Sequence, residues 1–282
     1  MNPSSKQSSR IITVDKLDAV FWSVQYDFAT RRNRLSKQEA ESVTNKVPKA
    51  LRDVNETEFA ALVRGLAQDV VDAHIHWGQM VLLEKQMCTR PDVSAQAYTF
   101  WHYTRIAHRQ TALACLARVF DQEPSSLHMR SFLEAIRDHL HIFNKEGVSR
   151  RRPDDPFVKM MSPEAAKPDP VQLARDMDLC STSDPDIKAL NRFRGSLLAH
   201  RGAKLTRLDD VDKLPPLLVE QVKRLLDRAN TILNRYSFMF DNSGDSMVPH
   251  GYGDLVNIFD AVERDLNLQK AEAEAQGKPY FP

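Results

Sequence analysis

The 282-residue sequence contains little glycine and little cysteine. With 9 glycines and no Asn-Gly or Asp-Gly pair between alternating apolar segments, the chain lacks the turns of a hairpin-rich β protein. Its three cysteines, Cys88, Cys115 and Cys180, are odd in number and far apart, which argues against a disulfide framework. No Walker loop, Gly-x-Ser-x-Gly elbow or Cys-x-x-Cys pair is present, so the sequence signatures of P-loop nucleotide hydrolases, serine hydrolases and dithiol redox proteins are missing.

Long apolar runs and a strong net charge are missing as well. No stretch approaches the roughly 20 apolar residues of a membrane-spanning helix, and the N-terminal segment holds only the short apolar patch "IITV", which is too short for a signal peptide. The formal net charge of +1 predicts no bulk attraction to nucleic acid or to a membrane. We therefore expect a cytoplasmic protein without a membrane partner, in which any electrostatic site is local.

Helical periodicity is what the sequence does contain. Apolar residues recur every three or four positions over about 14–32, 57–86, 94–120, 126–143, 216–240 and 252–274. Thr57 and Ser94 are the expected N-caps of the second and third of these segments. The fold class is therefore predicted to be all-α, with a helical bundle as the architecture.

The chain divides into four parts by composition. We expect a flexible tail over 1–12, an N-terminal helical extension over 13–55, a helical domain over 56–241, and a C-terminal helix and tail over 242–282. Within the helical domain, six of the fifteen prolines fall between Ser149 and Pro185. This composition predicts that 149–184 is a surface excursion without regular elements and with low local stability.

One helix carries an unusual charge. Over 185–201 a cap at Asp184 and a proline at the first helical position predict a helix start. Ile187, Leu190, Arg194, Leu197 and Arg201 recur at heptad spacing, so Arg194 interrupts an apolar seam of the kind that faces a partner. A charge at such a position must be paired or lie exposed in a cleft. His200 lies in the last turn, where its tip and that of Arg194 can converge.

Basic residues surround this pair in the sequence. From Ile187 to Leu208 there is no acidic residue but several basic ones, namely Lys188, Arg192, Arg194, Arg201, Lys204 and Arg207. For a chain of net charge +1 this local bias fits a polyphosphate ligand such as RNA, with Arg192, Arg201, Lys204 and Arg207 as phosphate contacts. The plainer interpretation is that Arg194 pairs with a carboxylate of another helix and His200 binds terminal carbonyls.

Two blocks resemble a known family. "LNRFRGSLLAHRGAK" (190–204) contains an arginine followed by five residues and a histidine, and "RIAHRQTALACLARVFDQEPSSLHMRSFL" (105–133) precedes it. Together they resemble the HEPN superfamily (higher eukaryotes and prokaryotes nucleotide-binding), in its abortive-infection, AbiU-like branch. The resemblance covers about 55–240 and implies a HEPN-like bundle of up-and-down helices with extra N- and C-terminal helices.

What the resemblance implies for function is metal-independent endoribonuclease activity at a homodimer cleft, in bacterial phage defence or a toxin–antitoxin system. Arg194 takes the family's arginine role beside the phosphorus, and His200 acts as acid or base, leaving a 2′,3′-cyclic phosphate. No cofactor or metal is implied; RNA, a second copy and a cognate antitoxin protein are the expected partners. Gly195 departs from the polar residue that often follows the arginine. The alternative is therefore a non-catalytic HEPN-like module that binds a partner protein, RNA or a nucleotide.

Other chemistry-bearing motifs are weaker. His74 and His76 in "HIHW" point in different directions on a helix, which argues against a shared metal. Arg105 and His108 in "RIAHR" are interpreted as polar faces of a helix. The aromatic run "FWHYTR" (100–105) either stacks on nucleobases or, as is more common at helical spacing, belongs to the core.

Overall fold

The computed structural model describes residues 54–123, 125–194, 217–244 and 253–279, and all of them belong to one compact unit. In this part of the chain there are helices and no strand, which confirms the predicted all-α class. The longer helices are α1 (Glu56–Thr89), α3 (Tyr98–Val119), α4 (Met129–Asp138), α7 (Pro170–Leu179), α8 (Pro185–Phe193), α9 (Val219–Asp241) and α10 (Gly253–Ala275). The short ones are α2 (Pro91–Ala95), α5 (Lys145–Arg151) and α6 (Pro156–Met160). The predicted tail over 1–12 and helix over 14–32 lie outside the described residues.

Helix α1 forms because its apolar residues follow the helical repeat. Residues from Phe59 to Leu83, spaced by three or four, are buried along one side. The N-cap is Asn55 rather than Thr57: its side-chain oxygen accepts from the amides of Thr57 and Glu58 at 2.9 and 3.0 Å. Glu58 bonds back to the Asn55 amide at 2.9 Å, which completes a capping box.

Helix α4 is deeply buried. It packs against α1 and α7, and Met129, Phe132, Leu133, Ala135 and Ile136 are all fully buried. Phe132 stacks on Phe59 of α1 with ring centroids 5.4 Å apart. Phe59 in turn contacts the rings of Phe143 and Phe240. Each large side chain buried in this way stabilises the fold by about 1.5–3 kcal/mol, so this aromatic cluster anchors α1, α4 and α9 to one another.

The proline-rich segment is the main departure from the sequence prediction. Instead of an irregular excursion it contains α6 and α7, and Val148, Val158, Met161 and Ala166 form a small buried cluster there. Asp155 and Asp169 cap the two helices, each followed by a proline at the first helical position. Proline fits that position because its missing N–H has no intrahelical partner there. Pro156 and Pro170 therefore start helices in this segment.

The remaining helices close the bundle. α1 and α3 pack against each other along most of their lengths, and α9 packs across α1, α5 and α8. A second apolar cluster consists of Leu83, Val93, Trp101 and Phe259. It joins α10 to the C-terminal part of α1 and to the first turn of α3. No helix in the described parts of the chain is both long and apolar enough to cross a membrane.

Candidate functional site

Helix α8 begins as its sequence predicts. The Asp184 side chain accepts hydrogen bonds from the amides of Asp186 and Ile187 at 2.9 and 3.0 Å, and Pro185 occupies the first helical position. Arg224 of α9 donates two hydrogen bonds to Asp186 at 2.8 and 2.7 Å. These bonds hold the pKa of the Asp186 carboxyl below its ordinary value. Arg228 bonds to the Leu179 carbonyl and pairs with Asp184 at 3.1 Å, so the start of α8 is attached to α9.

The apolar side of α8 packs into the chain's own core. Ile187 and Leu190 are completely buried in the main hydrophobic cluster. The expectation that this part of the seam faces a partner is therefore wrong, because its apolar residues already have intramolecular neighbours. Lys188 and Arg192, by contrast, are exposed on the outer side of the helix.

Arg194 lies at the C-terminal end of α8, in helical conformation. Its Nη1 pairs with Oδ2 of Asp121 at 2.7 Å, with 40% of the Arg194 side chain and 22% of the Asp121 side chain exposed. The charge of Arg194 is therefore paired with a carboxylate, and its side chain also reaches solvent. Next to Arg194 in the chain is Phe193. The guanidinium of Arg109 lies 5.9 Å from the centroid of the Phe193 ring, which is within cation–π range.

Asp121 is held by the connection between α3 and α4. It follows the last turn of α3, and its Oδ1 accepts from the amide of Gln122 at 2.9 Å. The Gln122 side chain donates to the Cys180 carbonyl at 2.6 Å, and Arg130 donates to the Met177 carbonyl at 3.0 Å. Gln122 lies near the start of this connection and Arg130 just after its end, so both ends of the connection that carries Asp121 are bonded to the end of α7.

His128 closes the same connection. It caps α4, with Nδ1 accepting from the Ser131 amide at 3.1 Å, and its side chain also bonds to the Glu123 backbone. Burial lowers the pKa of His128 to about 4, against the smaller opposing effect of Asp121. A buried neutral histidine with both ring nitrogens engaged supports the loop geometry. It is not placed to exchange protons with a substrate.

The structure therefore places part of the predicted site. Arg194 and Arg192 are described and lie at the end of α8, whereas His200, Arg201, Lys204 and Arg207 lie outside the described residues, as does Gly195. Sequence reasoning missed Asp121 as the partner of Arg194. A signal was present, because Asp121 ends the "LARVFD" part of the block on which the family resemblance rests.

The weaker motifs also have definite positions. In "FWHYTR" Trp101 is the buried aromatic residue, while Phe100 is 60% and Tyr103 47% exposed. Arg105 of the same run is buried too, at 7% exposure, and pairs with Glu84 of α1 at 3.6 Å, so its expected place on a polar face of the helix is wrong. His74 and His76 do point in different directions: Nε2 of His74 lies 3.3 Å from the Leu226 carbonyl, and Nδ1 of His76 lies 2.8 Å from Nδ1 of His108. His108 therefore does not simply lie on a polar face of α3. It also contacts His76 of α1.

Comparison with known families assigns the chain. The family model described as AbiU2, a HEPN family, matches residues 56–263, which is well over half of the sequence. The chain belongs to the AbiU2 family of HEPN proteins. The match begins at the first residue of α1, ends within α10, and includes Arg194 and Asp121. Neither a curated protein nor a solved structure matches the chain.

Proposed function

We propose that this AbiU2-family protein is a metal-independent endoribonuclease of bacterial defence or of a toxin–antitoxin system. The 2′-hydroxyl of a ribose attacks the adjacent phosphorus, and the bond to the 5′-oxygen breaks. The products are a 2′,3′-cyclic phosphate and a 5′-hydroxyl. In this proposal His200 removes the proton from the 2′-hydroxyl or donates one to the leaving oxygen, and Arg194 balances the charge that develops on the phosphate.

The observation that carries the proposal is the state of Arg194. Its guanidinium is partly exposed, and its ion pair with Asp121 uses Nη1. A guanidinium fork presents further N–H donors beside such a contact, and these can bind phosphate oxygens. Arg192, exposed two residues earlier, adds positive charge on the same helix end. An arginine that is oriented yet accessible is what a phosphate-binding role requires.

Asp121 raises the alternative that the site binds RNA without cutting it. A carboxylate on Arg194 competes with phosphate, but an ion pair exposed to this degree is worth only about 0–1 kcal/mol. Competition of this size weakens RNA binding by roughly fivefold at most. We therefore assign Asp121 a positioning role: it fixes the direction of the guanidinium and is displaced at little cost.

The assay is cleavage of labelled single-stranded RNA by the purified protein, with analysis of the 3′ ends formed. Arg194→Ala is expected to lower kcat by about 10²–10³-fold, and His200→Ala by about 10²–10⁴-fold. The matched controls are Arg118→Ala, which removes a similar arginine–aspartate pair between α3 and α1, and His141→Ala, at an exposed histidine. Cleavage by Arg194→Ala at the wild-type rate would overturn the proposal.

Asp121→Asn separates the two functions. In the enzyme it is expected to raise RNA affinity a few-fold, because the competing charge is gone. It should also lower kcat by about 10–100-fold, because the guanidinium is no longer fixed. A wild-type protein that binds RNA and never cleaves it, with only the affinity changing in Asp121→Asn, identifies the non-catalytic module. Gly195→Asn then tests whether the departure from the family pattern is responsible.

Homodimerisation remains part of the proposal with a revised surface. Since Ile187 and Leu190 are buried in the protomer, we place the second copy against the outer face of α8, at Lys188 and Arg192, or against residues after Arg194. Sedimentation at tens of micromolar protein tests this, and a strict monomer there contradicts it. A cognate antitoxin protein is expected to cover the same end of α8.

A further inference from the structure

Two histidines on neighbouring helices face each other. His76 lies on α1 and His108 on α3, and their Nδ1 atoms are 2.8 Å apart. Both side chains are half-buried, so their rings are held by the protein and still reached by solvent. Two imidazole nitrogens at this distance share one proton, or they bind one cation together.

The helices hold this pair in place. α1 and α3 pack closely, and the alanines one turn away, Ala73 on α1 and Ala112 on α3, are buried. Small side chains on both helices, one turn from the histidines, let the helices approach each other. The two rings therefore do not depend on a loop for their separation, and little conformational entropy remains to be lost when a ligand joins them.

The distance fits a transition metal after a small adjustment. Two nitrogens bound to one tetrahedral metal at about 2.0–2.1 Å lie about 3.3 Å apart. The observed separation is shorter by about half an ångström relative to that value, which rotation of two half-buried rings can supply. Neutral imidazole is the ligating form, and burial together with the neighbouring His76 lowers the pKa of His108, which favours that form.

We propose that His76 and His108 bind a divalent late transition-metal cation, such as Zn²⁺, as a two-histidine clamp between α1 and α3. No group of three or more histidine, cysteine or acidic side chains suited to a metal occurs in the described residues, so water completes the coordination. Imidazole ligands select Zn²⁺, Ni²⁺ or Cu²⁺ over Mg²⁺, which prefers oxygen. The proposed metal site uses none of the residues assigned to RNA cleavage above.

The test is calorimetric titration of the full chain with Zn²⁺, in a Cys88→Ser background because that thiol is exposed. We expect one ion per chain and a higher unfolding temperature with Zn²⁺, as for any ligand of the folded state. Mg²⁺ should give neither. His76→Gln and His108→Gln should each abolish this binding event, because a single remaining imidazole no longer chelates. Circular dichroism without metal checks that each variant is folded.

The matched control is His74→Gln, two residues from His76 on the same helix but directed at the Leu226 carbonyl. It should bind Zn²⁺ as the parent protein does. The proposal is overturned if the parent protein shows no one-to-one Zn²⁺ event, or if the event persists when both His76 and His108 are replaced. Loss of the event in His74→Gln with retention in His108→Gln also overturns it, since a different pair then holds the ion. If one single variant does not fold, the other single variant and the double variant decide.

Discussion

The buried histidine beside Asp121 makes the fold sensitive to acid. His128 is 5% exposed, and both of its ring nitrogens are used, one as acceptor from the Ser131 amide and one toward the Glu123 backbone. Protonation would place a charge in a buried site and remove the acceptor that caps α4. His128→Asn removes the titrating group while keeping a side chain that is favoured at an N-cap.

The size of the effect follows from the shift of its pKa. The pKa of His128 falls from 6.5 to about 4 on folding, so the unfolded chain binds more protons than the folded one between those values. The stabilisation is fully present above the unfolded pKa, and it is lost as the pH falls from 6.5 toward 4. At pH 5 the loss attributable to this one group is roughly 2 kcal/mol relative to neutral pH.

Urea unfolding followed by circular dichroism, at pH 7 and at pH 5, measures this loss. Other groups also titrate in this range, so the quantity of interest is the difference between proteins. His128→Asn should lose about 2 kcal/mol less than the wild type between the two pH values. His141→Asn, at an exposed position, serves as the control and should follow the wild type.

A pH dependence of unfolding that is the same in His128→Asn as in the wild type would refute the reasoning. It would mean that the His128 ring already carries its proton in the folded protein, or that the connection around Asp121 opens before His128 titrates. A slope that disappears in His141→Asn instead would assign the acid sensitivity to the wrong histidine.

Three further predictions concern stability and metal dependence. Leu190→Ala should lower the free energy of unfolding by about 2–5 kcal/mol, as measured in urea, whereas exposed Lys188→Ala should change it by less than about 0.5 kcal/mol; equal effects would contradict the burial of the α8 seam. Arg151→Lys should lower the free energy of unfolding by about 1–3 kcal/mol. Arg151 donates to the Phe240 and Ile142 carbonyls and lies over the Phe240 ring, and lysine lacks the planar guanidinium fork. Unchanged stability would show that these contacts are dispensable. EDTA should leave RNA cleavage unchanged, and a loss of cleavage that Mg²⁺ restores would contradict the metal-independent mechanism.

The parts of the fold that the sequence predicts are those governed by local periodicity. α1, α9 and α10 carry apolar residues at helical spacing, and their boundaries lie within about three residues of the predicted ones. The proline-rich segment differs from its prediction because Asp155-Pro156 and Asp169-Pro170 begin helices there. The same pair of residue types at Asp184-Pro185 does predict a helix start, because a clear apolar repeat follows it.

Of the ion pair at the candidate site, the sequence predicts the arginine but not its partner. Arg194 stands out because it interrupts an apolar pattern within its own helix. Its partner Asp121 comes from another helix end, and which carboxylate meets which guanidinium depends on how the helices pack. The contact between His76 and His108 likewise depends on how the helices pack, because the two residues lie on different helices and far apart in the sequence.

In the proposed reaction Arg194 exchanges Asp121 for a phosphate, and the energetics of α8 allow this exchange. Ile187 and Leu190 together stabilise the position of the helix by several kcal/mol, at about 1.5–3 kcal/mol each, and the Asp186–Arg224 pair adds two short hydrogen bonds to a carboxylate that is 7% exposed. The partly exposed Arg194–Asp121 pair contributes about 1 kcal/mol or less. Because the fold does not depend on that weaker pair, a phosphate can replace Asp121 on the guanidinium while α8 stays in place. In the proposed reaction, Asp121 then re-forms its ion pair with Arg194 when the product leaves.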